Sequence, residues 1–210
     1  MTTLAIMKAD VADDLTRSDL STQIADAITR AITFYQVKRF YFNETRDLTF
    51  DTVIGQSRYA TADDADIPKF ITLDGVFATV NGQNRQLCPM GVQSFEVLND
   101  NSASTGEPYS YCYFNVGFGL YPIPGAVYTI RPIGHVMKDA PASDTETGNV
   151  WMTEAYQLIR RRAAADVALT KMRNFSLAQA FAMAGDTELD RLVEETSRRK
   201  ATGKIQATSF

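Results

Sequence analysis

Gly119-Leu120-Tyr121-Pro122-Ile123-Pro124-Gly125-Ala126-Val127-Tyr128 lies at the centre of a long segment with strand character. The Pro-x-Pro-Gly run inside it is typical of a tight change of direction. Leu120–Tyr121 and Val127–Ile133, on either side, are rich in aromatic and β-branched residues, which favour strands. We therefore predict two β-strands that meet at a proline corner, preceded by Tyr109–Phe114 as the first strand of a three-stranded meander.

Strand character extends outward from this corner over residues 47–136. Asn81-Gly82 is typical of a two-residue hairpin, and Gly55-Gln56 indicates a further turn between two paired strands. Gly91–Leu98 is predicted to form one or two helical turns. The other predicted strands are Leu48–Val53, Ser57–Ala60, Phe70–Leu73, Val76–Val80 and Arg85–Cys88.

Two helices are predicted before this segment, because apolar residues recur there at helical spacing. The first is a short amphipathic helix whose apolar residues are Leu4, Met7, Val11 and Leu15. Ser18 and Asp19 are predicted to cap the second helix, which runs to about Val37. The apolar stripe of the second helix comprises Leu20, Ile24, Ala27, Ile28, Ala31, Ile32 and Tyr35.

Two more helices are predicted after the strand segment. One runs from Trp151 to about Met172. The other begins at a capping box, Ser176-x-x-Gln179, and Gly185 is expected to bend or interrupt it. Its predicted inward residues are Phe181, Leu189, Leu192 and Val193.

These patterns predict an α+β fold. The N-terminal and C-terminal helices form a helical bundle, an antiparallel β-sandwich or barrel-like domain is inserted between them, and an extended C-terminal arm follows. The predicted boundaries are 1–45 for the N-terminal helices, 46–137 for the β domain, 138–200 for the C-terminal helices and 201–210 for the arm.

The composition is that of a globular chain without a general attraction for nucleic acid. Of its 210 residues, 45% are hydrophobic and 22% are charged, and the formal net charge is −4. No stretch approaches the ~20 apolar residues of a membrane span, and the N-terminus lacks signal-peptide features. We therefore expect synthesis in a reducing cytosol, with Cys88 and Cys112 as free, buried thiols.

No catalytic, cofactor-binding or metal-binding constellation is present in the sequence, so an enzyme is not expected. His135 is the only histidine, and a lone histidine supports neither a metal site nor a proton relay. Asp63, Asp64 and Asp66 lack the spacing of a calcium loop. We interpret these three residues as a solvated acidic loop.

The helix that begins at Trp151 carries unusual residues on two faces. Arg162 and Asp166 fall inside its apolar stripe, either as an intrahelical ion pair or as part of a subunit contact. On the far side, Ala164 and Ala168 lie beside Arg161. Small residues permit close approach of another helix, although alanine also simply favours helix formation.

A ring of identical subunits explains both faces, because each copy then has a left and a right neighbour. The predicted subunit interface therefore comprises Arg161, Arg162, Ala164, Asp166 and Ala168. Arg160, Arg161 and Arg162 are consecutive and spread around the helix, so they do not form one nucleic-acid patch.

Three tyrosines of one predicted strand, Tyr109, Tyr111 and Tyr113, alternate and so share one face. We interpret them as core or interface residues and predict a docking surface of the β domain there. Stacking on a sugar is the alternative.

The order of segments resembles the head-to-tail adaptor proteins, also called head-completion or connector proteins, of tailed bacteriophages. The resemblance covers about Leu4 to Val193, with a longer link than expected at Ala60–Asp66. The matching segments are Ile24-x-x-Ala27-Ile28-x-x-Ala31-Ile32-x-Phe34-Tyr35, Tyr41-Phe42-Asn43-Glu44, Phe50-Asp-Thr-Val-Ile-Gly55-Gln56-x-x-Tyr59, Ile67-Pro68, Leu120-Tyr121-Pro122-x-Pro124 and Val150-Trp151-Met-Thr-Glu154-Ala155-x-x-Leu158-Ile159-x-x-Arg162-Ala163.

The resemblance implies a structural protein of the virion at the portal vertex, made in the host bacterial cytoplasm. It implies a dodecameric ring that binds the portal protein, extends the DNA channel and docks tail or nozzle proteins. DNA would pass without specific binding, which fits the mild negative charge. The C-terminal arm would bind the portal through Arg198, Arg199, Lys200, Lys204, Ile205 and Phe210.

Two other functions stay open at this point. The chain could be a different phage structural protein, such as a tail-tube gatekeeper or a capsid-associated β protein. A carbohydrate-binding module that uses the exposed tyrosines is the remaining alternative.

Overall fold

The computed structural model describes residues 2–64, 67–100 and 104–200. The described chain is mixed α+β and divides into two compact units. The helical unit comprises the described residues of Met1–Phe42 and Lys138–Phe210, and the β unit comprises those of Asn43–Met137.

The α-helices of the helical unit are α1 (Leu4–Asp14), α2 (Ser21–Tyr35), α4 (Val150–Thr153), α5 (Tyr156–Thr170) and α6 (Phe175–Lys200). Helix α3 (Val92–Asp100) lies in the β unit. It confirms the helical turns predicted from Gly91 to Leu98. A short 3-10 turn covers Tyr41–Asn43.

Helices α1 and α2 form as their apolar stripes predict, but α2 is not capped as expected. Met7, Val11 and Leu15 of the first stripe are buried, as are Ile24 and Ile28 of the second. The second helix begins at Ser21 with no side-chain cap. Ser18 and Asp19 do not cap it, and the Asp19 carboxylate instead accepts two hydrogen bonds from Arg17, at 2.7 and 2.6 Å.

The helix predicted from Trp151 is two helices, because Ala155 has a non-helical backbone (φ −107°, ψ 16°). The first of the two, α4, is capped by Asn149, whose Oδ1 accepts from the Trp151 amide at 3.1 Å. The indole of Trp151 is fully buried and donates from Nε1 to the Lys138 carbonyl at 2.9 Å.

Helix α6 runs unbroken through Gly185, so Gly185 does not interrupt it. A Cβ at Gly185 would lie 2.9 Å from Arg162 Cδ, so the glycine serves close packing of α5 on α6. Asn174, and not the Ser176 box, caps the helix: its Oδ1 accepts from the Leu177 amide at 3.1 Å. Val193, predicted to point inward, is exposed.

The helical unit has its own hydrophobic core, to which α2 and α5 contribute six buried residues each. Six residues of α5 are buried there, together with Trp151 of α4 and Leu192 of α6. The buried residues of α5 are Leu158, Ile159, Ala163, Ala164, Val167 and Ala168.

The β unit contains two larger sheets and one small pair of strands. The first sheet has the order β1–β11–β4–β5, with β2 also paired to β11, and the second has the order β3–β9–β8–β6; β10 pairs with β7. The strands are β1 (Glu44–Thr45), β2 (Phe50–Asp51), β3 (Arg58–Ala60), β4 (Phe70–Val80), β5 (Gln83–Gln86), β6 (Cys88–Pro89), β7 (Thr105–Gly106), β8 (Ser110–Phe114), β9 (Gly117–Tyr121), β10 (Ile123–Pro124) and β11 (Thr129–Val136).

Both larger sheets have open edges within the described residues, so the β unit is not a closed barrel. Most pairs are antiparallel, but β6 pairs with β8 and β10 with β7 in parallel. The buried side chains of both sheets form one hydrophobic core, to which Phe50, Val76, Tyr59, Phe118 and Ile130 belong.

The Asn81-Gly82 hairpin is confirmed, with positive φ angles of 49° and 76° at its two residues. The two strands predicted on either side of Gly75 are one continuous strand, β4. The predicted pairing across Gly55-Gln56 is wrong, because β2 pairs with β11 and β3 pairs with β9.

The proline corner does not join neighbouring strands of a meander. Strand β9 pairs with β8 as predicted, but β11 leaves that sheet and pairs with β4 in the other one. Pro122 directly follows β9 and has no amide hydrogen to donate, which explains why the chain leaves the second sheet here. The corner therefore connects the two sheets.

Candidate functional site

The described residues contain no group of histidine, cysteine and carboxylate side chains that could hold a metal ion. His135 is fully buried in β11, with Nδ1 3.5 Å from Asp74 Oδ2. Asp63 accepts a hydrogen bond from the Ala60 amide at 2.8 Å, which is a turn contact, and Asp66 lies outside the described residues. None of the described helices has the length and apolarity that a membrane crossing requires.

The two cysteines are free but differ in environment. Cys112 is buried beneath α3, and burial raises the pKa of its thiol. Cys88 is exposed, which corrects the prediction that both thiols are buried.

The three consecutive arginines of α5 reach three different places, as their spacing predicts. Arg160 lies against α1, where it binds Asp14 and Asp10. Arg161 contacts Asp14 at 3.3 Å and lies over the Phe181 ring. Arg162 reaches α6.

Arg162 and Asp166 do not pair with each other. Arg162 Nη1 lies 3.4 Å from Asp186 Oδ1 of α6, and its guanidinium lies over the Tyr35 ring. Asp166 Oδ2 accepts from Arg30 Nη2 of α2 at 2.7 Å. These pairs tie α5 to both of its neighbours within one chain, and the four side chains keep partial exposure.

Ala164 and Ala168 are fully buried inside the single chain. They are therefore not available to a neighbouring subunit, and their assignment to a subunit interface is corrected. The chain's own helices cover both faces of α5, so a ring is not needed to explain its small residues. Arg161, Arg162 and Asp166, which are partly exposed, stay predicted interface residues.

The three tyrosines of the predicted β-domain docking surface do not form one exposed row. Tyr111 is buried, and Tyr113 packs on the core and accepts a hydrogen bond from the Phe70 amide at 2.9 Å. Tyr109 alone of the three is exposed, edge-to-face with Tyr121. The face is inward because β8 is covered by the other sheet there.

The predicted portal-binding arm begins on the last turn of α6. Arg198 lies 3.5 Å from Glu194, whereas Arg199 binds Glu195 at 2.7 Å and its guanidinium lies 3.8 Å from the Tyr41 ring. Arg199 is thus engaged within the helical unit. The Lys200 side chain and Lys204, Ile205 and Phe210 lie outside the described residues.

Two exposed apolar surfaces were not predicted. The first, here called the groove, is an open cavity of about 670 Å³ in the helical unit, between α2 and the first half of α6 over α5. Its floor is formed largely by alanines, and Phe34, Leu169 and Phe175 are exposed along it. No sequence signal distinguished these residues from ordinary helix positions.

The second surface, here called the tip, consists of Val53, Ile54 and Val127 on two neighbouring turns of the β unit. Hydrogen bonds hold the two turns together: the Gly55 amide donates to the Pro124 carbonyl at 3.0 Å, and the Thr52 amide donates to the Tyr128 carbonyl at 2.9 Å. The side chains of Val53, Ile54 and Val127 are 56%, 64% and 62% exposed, in that order. Val53 and Val127 were predicted as strand residues, so no sequence signal marked this surface.

Comparison with known protein families finds a match to nearly the whole chain. Residues 2–207 match the SU10 adaptor protein family, which is nearly the full sequence and includes both units. The chain belongs to the SU10 adaptor protein family. Membership supports a structural role as a phage adaptor, in agreement with the resemblance found from segment order. No curated protein matches the chain.

Two exposed surfaces of this SU10 adaptor protein, the groove and the tip, are candidates for protein contacts. The groove and the tip are apolar and exposed, and charged side chains around the groove pair with each other. An adaptor needs such surfaces because it joins other proteins.

Proposed function

We propose that this chain is a head-to-tail adaptor of a tailed phage. It forms a dodecameric ring that binds the portal protein at the capsid vertex, extends the DNA channel and docks tail or nozzle proteins. The observation that carries this proposal is the SU10 adaptor match over residues 2–207. The chain performs no catalysis in this role.

The two units divide the work in this proposal. The helical unit acts as the bundle that faces the portal, and residues from Arg198 to Phe210 form the portal-binding arm. The β unit acts as a sandwich whose exposed tip meets the next tail component. Support comes from Val53, Ile54 and Val127, whose apolar side chains are left exposed by the described residues.

DNA passes through the ring without specific binding. The formal net charge is −4, and the α5 arginines are paired with Asp10, Asp14 and Asp186, so these three cations are engaged within the chain and not directed at phosphates. Nucleic-acid affinity depends mainly on free cations.

Labelling of virions distinguishes this role from that of another phage structural protein. Gold-labelled antibodies against the chain, viewed by negative-stain electron microscopy, are expected at a single vertex of each capsid. Label dispersed over the capsid would contradict the proposal and favour a capsid-associated protein. Label along the tail would favour a tail-tube component.

A further inference from the structure

Both connections between the two units leave the helical unit beside one side chain. The chain passes from the helical unit to the β unit at Phe42–Asn43 and returns at Met137–Lys138. The ring of Trp151 lies edge-to-face with that of Phe42, with 5.4 Å between centroids, and its Nε1 donates to the Lys138 carbonyl at 2.9 Å. Trp151 therefore holds the last residue before one connection and the first residue after the other.

These contacts belong to a cluster of three aromatic residues, Phe40, Phe42 and Trp151, here called the clamp. Phe40 and Trp151 are fully buried, and the Phe40 ring stacks on Phe42 with 5.0 Å between centroids. A buried aromatic ring contributes a large packing area, and the indole N–H of Trp151 adds a directional bond. The clamp thus fixes the two ends of the helical unit that lead to the β unit.

The end of α6 is bound to the clamp through Tyr41. The Tyr41 amide donates to Thr196 Oγ1 at 3.1 Å, and the Arg199 guanidinium lies 3.8 Å from the centre of the Tyr41 ring. That ring lies edge-to-face with Phe42, with 5.4 Å between centroids, and its hydroxyl donates to Glu154 Oε2 at 2.5 Å. A continuous series of contacts therefore joins α6 to the clamp.

The same end of α6 is the root of the arm. Thr196 and Arg199 lie in the last two turns of the helix, and residues 201–210 follow directly after Lys200. The last turn of a helix is its least stable part, because its carbonyl groups have no partners within the helix. A partner that binds the arm favours the helical state of this turn, which brings Thr196 and Arg199 to Tyr41. Since coupling between two sites is reciprocal, the hold on Tyr41 also favours binding at the arm.

We propose that engagement of residues 198–210 by the portal protein tightens the clamp, so that loading on the portal is transmitted to both connections to the β unit. The inference rests on the proposed portal-binding arm and adds a role for Tyr41 and Trp151. Tyr41 is the coupling residue, because it contacts α6, Glu154 and the clamp at the same time.

Hydrogen exchange at the Trp151 indole tests the coupling in the free chain. Trp151 is the only tryptophan, so its indole N–H gives a single signal in the nitrogen–proton NMR spectrum. Arg199→Ala is expected to speed exchange at this N–H about two- to fivefold, because that ratio corresponds to the loss of one cation–π contact at an exposed site. Arg198→Ala is the matched control, since Arg198 pairs with Glu194, and it is expected to leave the rate unchanged.

Two results of this experiment contradict the inference. Equal indole exchange in Arg199→Ala and in the unsubstituted chain would show that α6 does not act on the clamp. Equal acceleration of the backbone amides of α2 would show that the substitution loosens the whole helical unit and not the clamp.

Affinity for the portal protein tests the coupling in the other direction. Glu154→Ala removes the acceptor of the Tyr41 hydroxyl and is expected to weaken portal binding about fivefold, the lower end of ordinary coupling between sites. Glu188→Ala removes a carboxylate that pairs with Arg191 on α6, so it is the charge-matched control and is expected to bind normally. Titration of immobilised portal protein of the same phage measures each affinity.

A Tyr41→Phe background separates coupling from a direct contact with the portal protein. Phenylalanine keeps the ring but lacks the hydroxyl that binds Glu154, so Glu154→Ala is expected to have no further effect on affinity there. The same loss of affinity in both backgrounds would show that Glu154 touches the portal protein itself, which contradicts the inference.

The coupling and the adaptor proposal can be wrong separately. If the unsubstituted chain binds the portal protein and Glu154→Ala binds it equally well, the coupling is wrong and the adaptor proposal stands. If the unsubstituted chain never binds the portal protein, the adaptor proposal is wrong, and indole exchange in the free chain still decides whether the end of α6 acts on the clamp.

Discussion

Arg160 of α5 holds the Asp14 carboxylate of α1 through two hydrogen bonds, from Nε to Oδ2 at 2.7 Å and from Nη2 to Oδ1 at 2.8 Å. Both side chains are largely buried, at 19% and 15% exposure. A second carboxylate, Asp10, lies 3.1 Å from Arg160 and also accepts from the Tyr156 hydroxyl. Arg160 and Asp14 are 146 residues apart in the sequence, so this contact joins the N-terminal and C-terminal parts of the helical unit.

Asp14→Asn is expected to lower the free energy of unfolding by about 1–3 kcal/mol, because it removes one half of a partly buried, bidentate charged pair. Urea denaturation followed by Trp151 fluorescence measures this change in the helical unit. Asp19→Asn serves as the control, since its pair with Arg17 is exposed, at 46% and 60%, and is expected to matter little. Equal effects of the two substitutions would contradict the account of the α1–α5 contact.

The alkaline stability of the helical unit depends on Tyr41. Burial, followed by the hydrogen bond from its hydroxyl to Glu154 Oε2, raises the pKa of Tyr41 to about 12. An unfolded tyrosine has a pKa of about 10. Between these values the unfolded chain has lost a proton that the folded chain keeps, so the free energy of unfolding falls as the pH rises.

Tyr41→Phe is therefore expected to flatten this fall between pH 10 and about 12, in urea titrations at fixed pH. The slope is reduced and not abolished, because burial also raises the pKa of Tyr156. Tyr109→Phe, at an exposed tyrosine of the β unit, is the matched control substitution. An unchanged slope in Tyr41→Phe would show that the hydroxyl does not carry the effect.

Gly119 is required where α3 crosses the second sheet. A Cβ at this position would lie 2.5 Å from Cys112 Sγ and 2.6 Å from Phe95 Cζ. Gly119→Ala is expected to destabilise the β unit by about 1–3 kcal/mol through overpacking, measured by circular dichroism during urea denaturation. Gly106→Ala, where nothing lies within 4 Å of the added Cβ, is the control. Comparable stability of both variants would contradict this packing.

The arm can be tested apart from the folded chain. Deletion of residues 201–210 leaves every described residue in place, so we expect the urea transition of the helical unit to be unchanged. Portal loading, measured by pull-down on immobilised portal protein, is expected to be lost because Lys204, Ile205 and Phe210 are gone. Full portal loading by the truncated chain would contradict the proposal that the arm binds the portal protein.

The helices were predictable because their signals are local. The spacing of Ile24, Ile28 and Ile32 places them on one face of a helix, and that face is buried. The Asn81-Gly82 turn likewise determines the hairpin of the two strands next to it. The helix caps were not predictable in the same way, because several side chains near a helix start compete for the same hydrogen bonds. Asp19 is bound by Arg17, while Asn174 takes the cap that Ser176 was expected to provide.

Long-range pairing was the part that the sequence did not reveal. The residues after the proline corner have strand character whichever strand they pair with. The sequence therefore predicts a strand there, but only the structure shows that β11 pairs with β4 and not with β9. Ala164 and Ala168 indicated a close helix contact correctly, but the contact is with the chain itself. The groove forms because α2, α5 and α6 leave part of their apolar surface uncovered when they pack together. The pattern of any one helix does not predict that arrangement.

The adaptor role is tested most directly by the mass of the complex with the portal. Purified chain and purified portal protein of the same phage are mixed, and native mass spectrometry counts the copies bound to each portal ring. The account predicts a dodecamer of the chain on each portal, with few partly filled rings. A chain that stays monomeric beside an unoccupied portal would contradict it.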